Sequence, residues 1–217
     1  CNYQMGLAEN EDIYFQSAEA RNNDYNALID IVNDNMQKIN ALMGTDYKPF
    51  NYYGSKTAKN VIVAMGSVCD TIKMLIDYLK DDDIGLVEVH LYRPFSANYL
   101  KEVLPKSTKN IAVLDRTKEA GSIGEPLYLD VLSALKNMDV NIVGGRYGLA
   151  SKNTTPADIL SVYKMLKGKL QDNFTIGIVD DVTNLSLSKE NLDIKVSDKE
   201  ILIYGFGSDG MVSASKE

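Results

Sequence analysis

Near the end of the chain, Gly205-Phe206-Gly207-Ser208-Asp209-Gly210 fits G-x-G-x-x-G and follows the apolar run Ile201-Leu202-Ile203-Tyr204. Such glycines let backbone N–H groups close on a phosphate where a strand feeds a helix. The strand is present, and only the residues from Met211 to Glu217 follow the last glycine.

Four other stretches carry chemically useful side chains. Gly66-Ser67-Val68-Cys69 opens a helix with Ser67 as a natural N-cap. Cys69 reads as a packed core cysteine, against a nucleophile whose pKa is lowered by the helix terminus. In Leu91-Tyr92-Arg93-Pro94-Phe95-Ser96, Arg93 is either a clamp for a carboxylate or phosphate or a contact to a neighbouring domain. The densest polar loop is Asp115-Arg116-Thr117-Lys118-Glu119-Ala120-Gly121-Ser122-Ile123-Gly124-Glu125. Glu119 and Glu125 suit an acid–base pair, but a self-neutralising charged network at a domain contact explains the same residues and is preferred. Finally, Gly144-Gly145-Arg146-Tyr147-Gly148 offers either an anion site or a turn in which Arg146 meets Asp180-Asp181.

The elements that position these loops alternate from residue 60 onward. Val61–Met65, Leu86–Leu91, Ile111–Asp115, Val140–Val143 and Phe174–Val179 are short β-branched runs expected to form strands. Helices are expected over Asp70–Leu79, around Leu100–Leu104, over Glu125–Leu135 with Pro126 in the first turn, and from Thr155-Pro156. Continuous apolar strands alternating with helices imply an α/β fold, a mostly parallel five-stranded sheet with helices on both faces. Its ligands belong at the carboxyl ends of the strands. Before it, Leu28, Ile31, Val32, Met36, Ile39 and Met43 recur at helical spacing within Ala18–Met43, ended by Gly44 as C-cap. Tyr47-Lys48-Pro49-Phe50-Asn51-Tyr52-Tyr53-Gly54 is expected to connect this arm to the sheet while lying against a surface. The expected organisation is an N-terminal helical arm and connector over 1–59, the α/β domain over 60–200, and over 201–217 the first strand and Gly-rich loop of a further domain.

Composition narrows the function classes. A net charge of −7 opposes a nonspecific grip on nucleic acid or an anionic membrane. No apolar run approaches the roughly 20 residues that cross a bilayer. Two cysteines, Cys1 and Cys69, and one histidine, His90, leave no disulfide scaffold and no multi-histidine metal site, so a reducing, cytoplasmic setting is the simplest expectation. Cys1 stands where an initiator methionine would, so the chain is expected to begin within a longer gene product. Asp81-Asp82-Asp83 reads as a solvated turn. "NEDIYFQS", Asn10 to Ser17, matches the cleavage consensus of a viral protease used on expression tags, although its flanks lack linker composition.

Taken in order, "YKPFNYYG", "VIVAMGSVCDTI", "VHLYRPFS", "IAVLDRTKEAGSIGEPLYLDV", "IVGGRYGLASK", "IGIVDDVTNLSL" and "YGFGSDGMVSASK" resemble the middle of the pyruvate:ferredoxin (flavodoxin) oxidoreductases, over nearly the whole chain. That resemblance implies the family's second domain, similar to the C-terminal domain of transketolases, serving as a structural and interface domain. The parent enzymes are cytoplasmic proteins of anaerobic metabolism, usually homodimers. They oxidatively decarboxylate pyruvate to acetyl-CoA with thiamine diphosphate and magnesium. Electrons pass through 4Fe–4S clusters to ferredoxin or flavodoxin. Thiamine, cluster and most coenzyme A contacts lie in other domains of such a polypeptide, so no catalytic or metal-binding residue is expected here and the isolated chain is expected to be inactive. The resemblance carries over Gly207, Ser208, Asp209, Gly210 and Met211 as coenzyme A contacts. Met211 stands where a threonine is common, which removes a phosphate hydrogen bond worth on the order of 1 kcal/mol. Ser213 and Ser215 replace a glycine and an asparagine. Two alternatives are a stand-alone α/β module binding a nucleotide or acyl-CoA through Gly205–Gly210, and a domain of an oxidoreductase for another 2-oxoacid.

Overall fold

The computed structural model describes residues 10–192 together with 194, 204, 205 and 210. In chain order its elements are α1 (Tyr14–Ala20), α2 (Asn22–Met43), β1 (Phe50–Gly54), β2 (Asn60–Ala64), α3 (Val68–Leu79), β3 (Ile84–Val89), α4 (Ala97–Val103), β4 (Asn110–Asp115), α5 (Pro126–Leu135), β5 (Asn141–Arg146), α6 (Pro156–Lys167) and β6 (Phe174–Thr175). The strands form one six-stranded sheet in the order β1-β3-β2-β4-β5-β6. All pairings are parallel except β1 with β3.

Strand alternation decides which side chain goes to which face. Ile62, Ala64, Leu86, Ala112 and Leu114 pack with Ile72 and Leu75 of α3 and Val162 and Tyr163 of α6. Val61, Val63, Val87, Ile111 and Val113 pack on the other side with Leu100 of α4 and Leu127 and Val131 of α5. Both faces are therefore apolar and covered, as near-continuous β-branched runs require. The α/β class and the N-terminal helical arm match expectation. The helix starts match as well: Pro126 opens α5, and Thr155 with Asp158 forms a capping box on α6.

The expected connector is where the sheet gains its sixth strand. Phe50 lies opposite Val89 and Gly54 opposite Gly85, so β1 is an antiparallel edge strand. Pro49 precedes it, and the Pro49 carbonyl accepts from the N–H groups of His90 and Leu91. At the opposite edge the expected run Phe174–Val179 keeps strand pairing only over Phe174–Thr175. Gly177 then turns the chain at φ +80. The ring of Phe174 covers Gly145 so closely that a Cβ there would lie 2.2 Å from the ring, which is why β5 carries a glycine at that point.

The N-terminal helix is broken at Arg21 into α1 and α2, and neither has a buried residue. The protease consensus falls across the exposed α1 segment. Of the α2 positions, Ile29, Val32, Asn33, Met36 and Asn40 are half-buried, whereas Ile31, Ile39 and Leu42 stay open to solvent. The arm is tied to the sheet layer by the Tyr99 hydroxyl donating to Asp30 at 3.1 Å. It ends at Gly44, φ +68, the expected left-handed cap.

The path of the chain creates a switch point. From β2 it moves outward to β3, then crosses back over β2 to β4, β5 and β6. The connections after β2 and β4 diverge, and a crevice opens between their carboxyl ends. Three of the loops singled out by sequence, those after β2, β4 and β5, line it.

Candidate functional site

Asp115, at the end of β4, is buried and turned into the fold. Its carboxylate accepts from the N–H groups of Leu127 at 2.9 Å and Tyr128 at 3.0 Å, in the first turn of α5. Burial pushes its pKa above the usual carboxylate value, while the two helix N–H groups pull the other way. Glu125 is also buried, and its Oε1 lies 3.4 Å from Arg146 Nη1. It also accepts from the Glu119 N–H at 3.4 Å. Arg146 Nη2 donates to the Asn173 carbonyl at 2.8 Å. The polar loop is thus a charged network around Glu125 and Arg146. Glu119 meets Glu125 through its backbone while its own side chain is exposed, so the acid–base pairing is not formed.

The alternative partner for Arg146 is corrected too. Asp180 accepts from the N–H groups of Val182 at 2.9 Å and Thr183 at 3.1 Å within its own turn. Hydrogen bonds from Thr183 and Val182 hold its pKa down to about 2. Arg93 is occupied within the chain: Nη1 sits 2.7 Å from Asp130 of α5, and the guanidinium lies 4.0 Å from the centroid of the Tyr92 ring. Cys69 is fully buried in α3, and burial, with the Glu88 charge second, pushes its thiol up to about 12. A core cysteine fits; a nucleophile does not.

At the switch point lies a cleft of about 280 Å³. Ser67, Val68 and Thr71 line it from the start of α3, Arg116 from the loop after β4, Tyr147 and Gly148 from the loop after β5, and Ser151 to Thr154 from the following segment. Arg116 Nε donates to the Gly148 carbonyl at 3.0 Å, and Nη2 to Ser151 Oγ at 3.4 Å. That crossbrace holds a tight loop in which Ala150 (φ 50) and Ser151 (φ 60), neither a glycine, are left-handed. Ser67 stands at the N-cap position of α3, but its backbone is helical and its side chain makes no capping bond. The expected cap is therefore absent, and Ser67 lines the cleft without that duty. Burial lifts the Tyr147 phenol to about 12, so it is a neutral hydroxyl.

A second, wider cleft of about 600 Å³ opens beside Tyr47, lined by Asp46, Asp70, Lys73, Glu88 and His90 among others. Its charges are of both signs, with three carboxylates against Lys73 and His90. Lys73 Nζ lies 2.6 Å from Glu88, and His90 Nε2 lies 3.7 Å from the same carboxylate.

Gly207, Ser208, Asp209 and Met211 lie outside the described residues, as do Ile201 to Ile203. Gly210 is exposed and left-handed, φ +85, a conformation suited to glycine in a tight turn. Lys152 and the hydroxyls of the cleft were not read from sequence. The signal available was the pair of cations, Arg116 and Lys152, each just past the end of a strand–loop unit.

Residues 58–159 match the family pyruvate:ferredoxin oxidoreductase core domain II. The chain is 50% identical over 219 residues to a pyruvate-flavodoxin oxidoreductase of Enterobacter agglomerans, an alignment covering 97% of this chain and 19% of that protein. It is 48% identical over 221 residues to a pyruvate:ferredoxin oxidoreductase of Moorella thermoacetica, covering 99% of this chain and 19% of that one. With a pyruvate dehydrogenase (NADP+) of Cryptosporidium parvum the identity is 44% over 223 residues, 97% of this chain and 12% of the other. Along nearly its whole length the chain is therefore similar to one segment of these oxidoreductases. It spans about a fifth of the length of the two bacterial relatives. No helix among the described residues is long and apolar enough to cross a membrane.

Proposed function

We propose that this chain, similar throughout to a segment of pyruvate:ferredoxin and pyruvate-flavodoxin oxidoreductases, is the structural second domain of an enzyme that oxidises pyruvate. The observation that carries this reading is the 50% identity over 97% of the chain, with the domain II match at its centre. In the intact enzyme the chemistry is oxidative decarboxylation of pyruvate to acetyl-CoA. Thiamine diphosphate with magnesium and the 4Fe–4S clusters are held by other domains of the same polypeptide, and ferredoxin or flavodoxin takes the electrons. The enzyme is a cytoplasmic homodimer. Over 1–59 the chain is the arm and connector, over 60–200 the α/β domain, and over 201–217 the start of the coenzyme A domain, where Gly207, Ser208, Asp209, Gly210 and Met211 contact coenzyme A.

Two features of the chain support a scaffolding role. Glu125, Asp115 and Arg93 are spent on internal contacts rather than left facing a substrate. Ile31, Ile39 and Leu42 of α2 form an apolar stripe that a neighbouring domain covers in the intact protein.

The test has two arms. The purified chain should give no pyruvate- and coenzyme-A-dependent dye reduction. Grafted into the Moorella thermoacetica enzyme in place of its matching segment, it should support that reduction. Turnover by the chain alone overturns the reading, as does a folded, cluster-loaded chimera that binds pyruvate and reduces nothing.

A further inference from the structure

We propose that the switch-point cleft is a binding site for a small phosphate-bearing anion. The chain as a whole is acidic, net −7. The residues lining this cleft nevertheless include two cations, Arg116 and Lys152, several hydroxyls, and no carboxylate. Among the described residues neither cation forms an ion pair. Asp115, next in sequence to Arg116, points away into the first turn of α5, and Asp158, which lines an adjoining cleft with Lys152, accepts from the Thr155 N–H and hydroxyl in the capping box of α6. Asp70, in the first turn of α3, lines the neighbouring mixed-charge cleft with Lys73 instead. The excess positive charge is therefore local and unanswered.

Position and donor geometry specify the ligand. The cleft lies between the carboxyl ends of β2 and β4, where the connections diverge, the usual ligand position in open α/β sheets. The Nε and Nη2 groups of Arg116 already donate to Gly148 and Ser151. One of its two bidentate edges, Nε with Nη2, is thus spent, and the Nη1 end is left for a ligand. What remains is a set of donors from separate segments of the chain that line the cleft: the free end of Arg116, Lys152, Ser67 and Ser151. Such a set suits the three oxygens of a tetrahedral phosphate. The left-handed Ala150 and Ser151 keep the loop in place, braced by Arg116. A smaller, mostly apolar cavity of about 120 Å³, lined by Leu149, Ile176 and Ile178, adjoins the cleft and shares Lys152 with it. It accommodates a short organic group on the phosphate.

The probe is inorganic phosphate, titrated into the 15N-labelled 217-residue chain at constant ionic strength, with acetate as the planar comparison. The expected result is saturable shifts of amides in Ser67–Thr71 and Gly148–Lys152, and weaker or absent saturation with acetate. K152Q should weaken phosphate binding roughly tenfold. S67A removes a hydroxyl that caps nothing, so it leaves the fold intact and should weaken binding several-fold. R116Q combines loss of charge with loss of the loop brace, so its result is read only beside those two variants. Shifts linear in phosphate, acetate binding as tightly as phosphate, or unchanged affinity in both K152Q and S67A each overturn the proposal. Phosphate binding is read without turnover, so it stands or falls separately from the oxidoreductase assignment.

Discussion

Glu125→Gln isolates the charge at the centre of the buried network. The substitution keeps the shape of the side chain and its acceptor for the Glu119 N–H, and removes only the negative charge facing Arg146. The side chains of Arg146 and Glu125 are 9% and 7% exposed, so water does little to replace the lost partner. Removing one member of a buried ion pair costs about 3–5 kcal/mol. Here the contact is long, 3.4 Å, and Arg146 Nη2 retains the Asn173 carbonyl at 2.8 Å. The lower end applies, about 3 kcal/mol. For a chain of this size the urea slope is near 3 kcal/mol/M, so the midpoint should fall by about 1 M with the slope unchanged. Arg146→Met tests the cause. With no cation left to strand, Glu125→Gln in that background should cost less than about 1 kcal/mol. Equal costs in the two backgrounds refute the ion pair as the source of stability, and a midpoint shift under about 0.3 M refutes its burial.

Cys69 should be unreactive in the native chain. In a Cys1→Ser background, a thiol held at about 12 rather than near 9 should label with iodoacetamide on the order of a thousandfold more slowly than after unfolding in urea, and comparable rates would contradict its burial. Asp115 should give stability an unusual pH slope. Because burial raises its pKa above 3.8, the native chain keeps a proton there that the unfolded chain has already released. The contribution of Asp115 is therefore largest at low pH and is lost as pH rises from about 3.8 through the raised value. Asp115→Asn lacks this titration, so the urea-midpoint gap between wild type and variant should narrow between about pH 4 and pH 7, and a gap that widens refutes the raised pKa.

The strand–helix alternation was legible because burial on both faces leaves a plain mark, short β-branched runs such as Val61-Ile62-Val63. Pro126 and Thr155-Pro156 likewise marked two helix starts through local chemistry alone. β1 was hidden because Pro49, Gly54 and the aromatics between them look like loop punctuation. Only its pairing with β3 reveals an edge strand, where proline at the entry is tolerated. The arginine partners were hidden for another reason. Arg146 and Glu125 lie on different elements, and only the adjacency of β4 and β5 with the start of α5 brings them together. Asp180, the partner expected from sequence, satisfies its own turn instead. The switch-point cleft depends on strand order, which no local pattern encodes.

The N-terminal arm also has a mechanical character. At 1.5 Å per residue, the 22 residues of α2 make a rod about 33 Å long. Its fulcrum is at Gly44, where Asn40 clasps Tyr47, accepting the Tyr47 N–H at 2.7 Å and donating to the Tyr47 carbonyl at 2.8 Å. Farther along, the Tyr99–Asp30 bond acts as a single guy-line. A rotation of about ten degrees at the fulcrum sweeps the distant end through about 6 Å. A displacement of Tyr25 or Leu28 therefore has a direct route to the sheet layer through the Asp30–Tyr99 bond, and a small shift beside Tyr47 pulls on that same bond from the other end of the rod.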